Sequence, residues 1–340
     1  MVDGLRKPVM AIRRLVTHWG RFHADEVFAT AVLRRLFPEA ELVRTRDVRV
    51  LDEANKDSSS IVYDVGGEYD PGRHCYDHHQ FLLRVRPGDE FQEVPEARRE
   101  NGVPFAAFGL VWKHFGAEYV SGVTGESGLS DELVAAIQSA VDGGLVEGID
   151  AGDCGALEQS ARLRLEPAHR VQLLGISELV ADMNPESLQE ENDAFGRAVV
   201  WADEVLRGRV RASERAWSVR RDVERHDTGE PVLVLPEGIA WPGYTMPHHR
   251  LVVYPERGRS GWLVQSVPSD SDPLIPLCPF PASWAGLRGG AMQEQSGVSD
   301  AEFCHAGRFI VGAASLSGAL HLARLALESG WDHAVSATPV

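Results

Sequence analysis

In the first third of the chain, short apolar runs alternate with apolar residues spaced at three and four. Leu15-Val16 predicts a strand, and Val27, Phe28, Ala31, Val32 and Leu36 after it predict one face of a helix. Glu41–Thr45 predicts a second strand, Ser60–Gly67 a third that stops at a glycine pair, and His74-Cys75-Tyr76 a further arrival at the same sheet. Strands and helices alternating at this spacing predict an α/β fold with a doubly wound, mostly parallel sheet. Residues 84–104, with Pro87, Gly88, Pro95 and Pro104 among charges, read as a surface loop or lid. A helix carrying Phe108, Val111, Trp112 and Phe115 follows and is expected to end at Gly116. Ser130-Asp131-Glu132-Leu133 opens another, running to about Glu147, with Asp150 and Asp153 just beyond its end. Carboxylates there oppose the helix dipole, so a cation nearby would account for them.

From Pro185 to about Asp227 the pattern is one long helix, read as a bridge to a second, smaller α+β domain. That domain holds a strand at Val232–Leu235, a hairpin of Arg250–Tyr254 with Gly261–Val267, and an ordered loop from Pro276 to Gly290. A strand from Glu302 to Ile310 and a closing helix from Ser317 to Glu328 complete it. The expected domains are 10–185, a helical linker 186–229, and 230–335.

The 340 residues carry a formal net charge of −16. That balance argues against tight binding to long duplex DNA, whose affinity comes from many Lys and Arg phosphate contacts, but leaves short or single-stranded substrates open. Cys75, Cys154, Cys278 and Cys304 are scattered, so neither a disulfide framework nor a zinc ribbon is expected. No apolar run reaches membrane-spanning length and no signal-type segment opens the chain, which predicts a cytoplasmic protein without membrane contact.

The chemistry concentrates in Thr17-His18-Trp19-Gly20-Arg21-Phe22-His23-Ala24-Asp25-Glu26 and in Tyr76-Asp77-His78-His79-Gln80. His18, His23 and Asp25 follow one strand, Asp64 ends another, and His78 and Asp150 arrive later. In an open α/β sheet such positions face the ligand crevice. Imidazoles and carboxylates without thiolates suit Mn²⁺ better than structural zinc, with Mg²⁺ the next choice. Six ligands suffice for two ions, and Asp64, arriving centrally, is the expected bridge.

These motifs resemble the DHH phosphoesterase superfamily, named for the triplet Asp77-His78-His79. Within it the chain is similar to the melanocyte-proliferating-gene exonuclease family. The resemblance is carried by Thr17-His18-x-Gly20-x-Phe22-His23-x-Asp25-Glu26, Arg44-Thr45-Arg46-Asp47, Asp64-Val65-Gly66-Gly67-Glu68-Tyr69-Asp70-Pro71 and Tyr76-Asp77-His78-His79-Gln80. Ile149-Asp150-Ala151, Met183-Asn184-Pro185, Trp284-x-Gly286-Leu287-Arg288 and His305-Ala306-x-x-Phe309-Ile310 extend it over nearly the whole chain. Trp19 departs from eukaryotic relatives, which tend to carry Asn there.

The resemblance implies a DHH-type N-terminal domain and a C-terminal domain that closes over substrate. It implies two Mn²⁺ ions on His18, His23, Asp25, Asp64, His78 and Asp150, with His79 beside the reacting phosphate and Asp77 assisting it. Arg46, Arg288, His305 and Arg308 are the expected substrate contacts. The implied activity is removal of nucleotides, 3′ to 5′, from single-stranded RNA or short oligonucleotides. The alternatives are a phosphatase acting on pyrophosphate or nucleotides, and a metal-stabilised binding protein. The sequence leaves room for an oligomer.

Overall fold

The computed structural model describes residues 11–81, 98–125, 129–156, 174–236, 241–269, 272 and 274–334. The chain divides into two compact units, Met1–Glu214 and Arg215–Val340.

The first unit is built on a five-stranded sheet in the order β2-β1-β3-β5-β4. Its strands are β1 (Arg14–Thr17), β2 (Glu41–Arg44), β3 (Ser60–Tyr63), β4 (Tyr69–Asp70) and β5 (Cys75–Tyr76). β2, β1, β3 and β5 run parallel, and only the edge strand β4 is antiparallel to its neighbour. Alternate side chains leave opposite faces of a strand. Leu15 and Ile61 therefore join the large core formed with α1 (Ala24–Leu36) and α3 (Ala107–Thr124), whereas Val16 and Val62 pack with Leu51 and Ala54 of α2 (Val48–Ala54). Val27, Phe28, Val32 and Leu33 of α1 are fully buried, each worth about 1.5–3 kcal/mol of transfer free energy.

α3 does not end at Gly116 as its glycine suggests. A Cβ there would lie 2.9 Å from both Gln138 Nε2 and Trp112 Cδ2, so this glycine serves close packing rather than termination. The next helix also outruns its pattern. α4 (Asp131–Val141) passes through a π turn, Asp142–Val146, directly into α5 (Glu147–Asp153). Asp150 and Asp153 therefore sit within helix and not beyond its end. Single π turns recur at functional sites. Most of the expected lid, residues 84–97, lies outside the described residues; its end, 98–104, is a tight turn closed by Arg99 N–H donating to Val103 O at 2.9 Å. α6 (Ile176–Ala181) precedes the 36-residue α7 (Glu191–His226), which supplies its first part to this unit and its last turns to the second.

The second unit has its own five-stranded sheet, ordered β6-β7-β8-β10-β9, with β6 parallel to β7 and the other pairs antiparallel. The strands are β6 (Val232–Val234), β7 (Leu251–Pro255), β8 (Trp262–Ser266), β9 (Ala301–Cys304) and β10 (Ile310–Ala313). Ala319, Leu322, Ala323 and Ala326 of α9 (Leu316–Ala334), at helical spacing, cover Val253, Val264 and Val311. Two expectations change here. The run Glu302–Ile310 is not one strand: it takes in the end of β9, a turn over 305–309 in which Arg308 adopts φ +55°, and the start of β10. The loop after Pro276 ends in α8 (Gly289–Ser296), where Arg288 holds the N-cap position without a side-chain capping bond. Among the described residues no helix is long and apolar enough to cross a membrane.

Candidate metal centre

The centre is assembled in the first unit from strand ends. β1 delivers His18, and the loop that follows leads to His23 at the N-cap of α1. Both Glu26 oxygens accept from the His23 backbone N–H at 3.0 Å, while Oε1 lies 2.9 Å from His18 Nε2. Glu26 thus closes a capping box and reaches the first imidazole. One residue earlier, Asp25 accepts the N–H groups of Ala107 and Phe108 at 2.9 and 2.7 Å, fixing the N-terminus of α3. Two successive buried carboxylates in one helical turn hold three structural donors.

β3 ends at Asp64, which takes φ +54°, a strained conformation for a non-glycine residue. The turn aims its carboxylate between the imidazoles. Oδ2 is 3.3 Å from His18 Nε2, and Oδ1 is 3.6 Å from His78 Nδ1 and 3.7 Å from His79 Nδ1. Asp77 has a different task. Its Oδ1 accepts the His78 and His79 backbone N–H groups at 2.8 and 3.2 Å and the His79 ring Nδ1–H at 2.7 Å, and its Oδ2 accepts Gly67 N–H at 2.6 Å. Asp77 shapes the triplet and orients His79.

His78 is 1% exposed, yet neither ring nitrogen has an aligned hydrogen bond. Its Nδ1 is 3.9 Å from Asp25 Oδ2, and its Nε2 is 3.0 Å from Asp153 Oδ2. A buried imidazole without hydrogen bonds, ringed by carboxylates, is costly unless a cation joins them. Three groups offer ligand atoms within 4.8 Å of one another: Asp64–Asp77–His78–His79, His18–His23–Glu26 and His78–Asp153–Cys154. The donor set fits divalent metal, and these His and Asp groups are able to hold such ions.

Charge responds to this crowding. Burial pushes Asp25 well above the usual carboxylate range, and Asp153, Asp64 and Asp150 add to the rise; burial raises Glu26 as well. For His18 burial opposes the cation, but hydrogen bonds to Asp64 and Glu26 outweigh it and the ring is pushed up to about 10. Burial also disfavours charge on Asp77 and Asp153, yet the His79 ring holds the first, and the His78 ring the second, below the usual range. His79 is raised chiefly by its bond to Asp77.

His18, His23, Asp25, Arg46, Asp64, Asp77, His78 and His79 all line one cavity of about 690 Å³. Asp150 does not. It is fully buried, with Oδ1 accepting Gly109 N–H at 3.0 Å and Oδ2 2.8 Å from Arg99 Nη1. Burial raises its carboxyl to about 7 against the pull of Arg99. Asp153, one turn on, lines the cavity in its place. Sequence reasoning marked Asp153 only alongside Asp150 as a carboxylate that a cation would account for, and did not single out Glu26; the signal for Glu26 was its place three residues after the His23 N-cap.

Arg288, His305 and Arg308 belong to the second unit and gather around the β9–β10 turn. Cys304 N–H donates to Leu287 O at 3.0 Å and Phe280 N–H to Arg308 O at 2.9 Å, which draws the three segments together. His305 is exposed with its ring 4.5 Å from that of Phe309, and the Arg288 guanidinium lies 5.6 Å from the Phe303 ring centre. The second unit also has a cluster of Asp227, His248 and His249. His249 Nδ1 accepts Met246 N–H at 3.0 Å, so Nε2 carries the proton and faces Asp227 Oδ1 at 3.2 Å. A ring nitrogen that donates has no lone pair for a metal. This cluster is a hydrogen-bond knot.

Comparison with known proteins agrees with the motifs. The family profile MYG1_exonuc, described as an uncharacterised protein family (UPF0160), matches residues 14–327. The chain is 31% identical to the MYG1 exonuclease of Homo sapiens over 350 residues, 95% of this chain and 88% of that protein. It is 31% identical to the MYG1 exonuclease of Mus musculus over 352 residues, 95% and 87% of the two chains. With the MYG1 protein C694.04c of Schizosaccharomyces pombe the identity is 29% over 339 residues, 93% and 97% of the two. No solved structure matches at the same stringency. A match over nearly the full length, with the motif residues gathered around one cavity, makes this chain a member of the MYG1_exonuc family.

Proposed function

We propose that the protein is a divalent-metal-dependent phosphodiesterase of DHH type, a Mn²⁺ enzyme that removes nucleotides 3′ to 5′ from single-stranded RNA or degrades short oligonucleotides. The observation that carries this reading is His78: buried, without aligned hydrogen bonds on either nitrogen, and set among Asp25, Asp64 and Asp153 beside the exposed His79. The exonuclease names of the mammalian relatives support the reaction class. His18, His23, Asp25, Asp64 and His78 would hold two ions, with Asp153 as the sixth ligand in place of Asp150. Imidazole nitrogens favour Mn²⁺ over Mg²⁺. Bound there, the ions supply Lewis acidity that lowers the pKa of water and offsets charge at phosphorus.

The remaining roles fall to the chain's own side chains. Asp77 takes the Nδ1–H of His79 and leaves the Nε2 side of this 59%-exposed ring available to a phosphoryl oxygen. Asp77 is therefore a positioning residue. Arg46, exposed on the cavity wall, offers a guanidinium to the same phosphate or its neighbour. In the second unit, Arg288 and Arg308 beside His305 offer guanidinium groups that would suit a phosphate.

The test strips the protein with chelator, restores Mn²⁺ in steps, and follows end-labelled single-stranded RNA beside pyrophosphate. Stepwise shortening that requires Mn²⁺ and is abolished in a folded Asp64→Asn protein is the expected result. Phosphate release from pyrophosphate alone would convert the reading to a phosphatase. Metal binding with neither product would make it a binding protein.

A further inference from the structure

Resting on the phosphodiesterase reading, we infer that Trp19 is a stacking platform for a nucleobase of the substrate, which makes it a specificity-determining residue for base-bearing single strands over pyrophosphate. The loop between His18 and His23 is held through its backbone. Trp19 O accepts Arg46 Nε–H at 2.6 Å, and Gly20 O accepts Arg44 Nη2–H at 2.7 Å. Phe22 exchanges two bonds with the Asn184 amide, N–H to Oδ1 and Nδ2–H to O, both 2.8 Å. Arg44 is itself fixed, 3.4 Å from Glu191 and with its guanidinium 4.2 Å from the Phe195 ring centre. Gly20 supplies the φ of +117° that the turn requires. The loop is thus held before any substrate arrives, and the motif pieces Arg44-Thr45-Arg46 and Met183-Asn184-Pro185 acquire a purpose.

Phe22 points inward from this loop, fully buried and edge-on to Phe195 at 5.5 Å. Trp19 is the opposite case. It is 39% exposed, and among the described residues its indole has no stacked ring, no cation over its face and no hydrogen bond from its N–H. Exposing a large aromatic on a fixed backbone loses hydrophobic free energy that a ligand can recover, with little ordering entropy left to lose on binding. Its position selects the ligand. Trp19 does not itself line the cavity, but it follows His18, which does, and its carbonyl is bonded to Arg46, whose Nη2 lies 3.2 Å from His18 Nδ1. An exposed π face next in the chain to one cavity residue, with its backbone bonded to the guanidinium of another, matches an aromatic ring joined to a phosphate. Base–aromatic stacking is indifferent to sequence and needs an unpaired base. It also suits a chain of net charge −16, which cannot rely on many phosphate contacts.

The experiment compares the full-length wild type with Trp19→Ala and Trp19→Phe, with Mn²⁺, on short single-stranded RNA, the same RNA with abasic terminal nucleotides, and pyrophosphate. Binding of the RNA to chelated protein is measured in parallel by fluorescence anisotropy. Trp19→Ala is expected to raise KM and Kd for RNA on the order of 10- to 100-fold, the loss typical of one base–aromatic stack, with kcat nearly unchanged. Trp19→Phe should recover most of that loss, and the abasic RNA should be insensitive to either change. Equal KM and Kd in wild type and Trp19→Ala, or the same loss on abasic RNA, overturns the stacking role. RNA that binds with the expected Trp19 dependence but is never cleaved leaves the platform standing and overturns the phosphodiesterase reading.

Discussion

Asp150 and Asp153 sit three residues apart on α5 and are assigned opposite tasks, so exchanging each for asparagine should separate stability from metal binding. Asp150 is fully buried against Arg99, itself 8% exposed, at 2.8 Å. With its carboxyl at about 7, the pair is charged at pH 8. Asparagine retains an acceptor for Gly109 N–H but removes the charge. A carboxyl raised to about 7 in the folded protein is ionised at pH 8 at a cost to folding, and asparagine removes that cost while leaving Arg99 one partner short. Arg99 keeps Asp142 at 2.9 and 3.1 Å, so the loss on its side is partial. The chelated Tm of Asp150→Asn is therefore expected at or above that of wild type. Asp153 is held below the usual range by the His78 ring at 3.0 Å, a depressed carboxyl contributes stability at pH 8, and Asp153→Asn should lower the chelated Tm.

Metal widens the difference. At Mn²⁺ a hundredfold above Kd, binding stabilises wild type by about 2.7 kcal/mol, a rise of roughly 5–11 °C. Loss of a ligand should weaken affinity by at least the upper end of the 10–100-fold that loss of an outer-shell partner costs. At the same Mn²⁺ a hundredfold loss leaves Asp153→Asn only about 0.4 kcal/mol, under about 2 °C. Asp150→Asn should keep the full metal-dependent rise. Thermal unfolding at pH 8 across a Mn²⁺ series, with calorimetric Kd values, reads both effects. A metal response lost in Asp150→Asn and intact in Asp153→Asn would refute the assignment.

Two other outcomes follow from local geometry. Gly109→Ala would place a methyl group inside the Asp150 carboxylate and 2.8 Å from Phe105 Cδ1, so despite the better helix propensity of Ala it should destabilise by about 1–3 kcal/mol, seen as a lower urea midpoint. Asp57 is held below the usual carboxylate range by the Ser59 N–H, then the hydroxyl of Ser59 and the charge of Arg14. A depressed folded pKa contributes stability above the unfolded value of about 3.9 and loses it as pH falls below that value. Asp57→Asn should therefore flatten the acid limb of a stability profile below about pH 4, by no more than about 1 kcal/mol because Arg14 and Asp57 are 30% and 34% exposed. An unchanged acid limb would remove Asp57 from the account.

Sequence alone determined the α/β character of the chain and the strand ends that carry His18, Asp64 and the Asp77 triplet. It could do so because these residues follow short apolar runs whose register is a local property, and because imidazoles and carboxylates at successive strand ends of a parallel sheet must meet. It also placed α1, α4, α7, the β7–β8 hairpin and α9, whose apolar spacing matches their buried faces. Where it misread the chain, the deciding contact came from far away. Gly116 continues a helix because Trp112 and Gln138 crowd it, and the run through His305 and Arg308 turns because Phe280 and Leu287 pair with its two sides. The assignment of the sixth ligand to Asp153 rather than Asp150 is our proposal, and it too rests on distant contacts. Residues three apart share a helix face, so no spacing rule ranks them. Only the tertiary structure, by bringing Arg99 to one and His78 to the other, gives the first a structural partner and the second a place in the cavity.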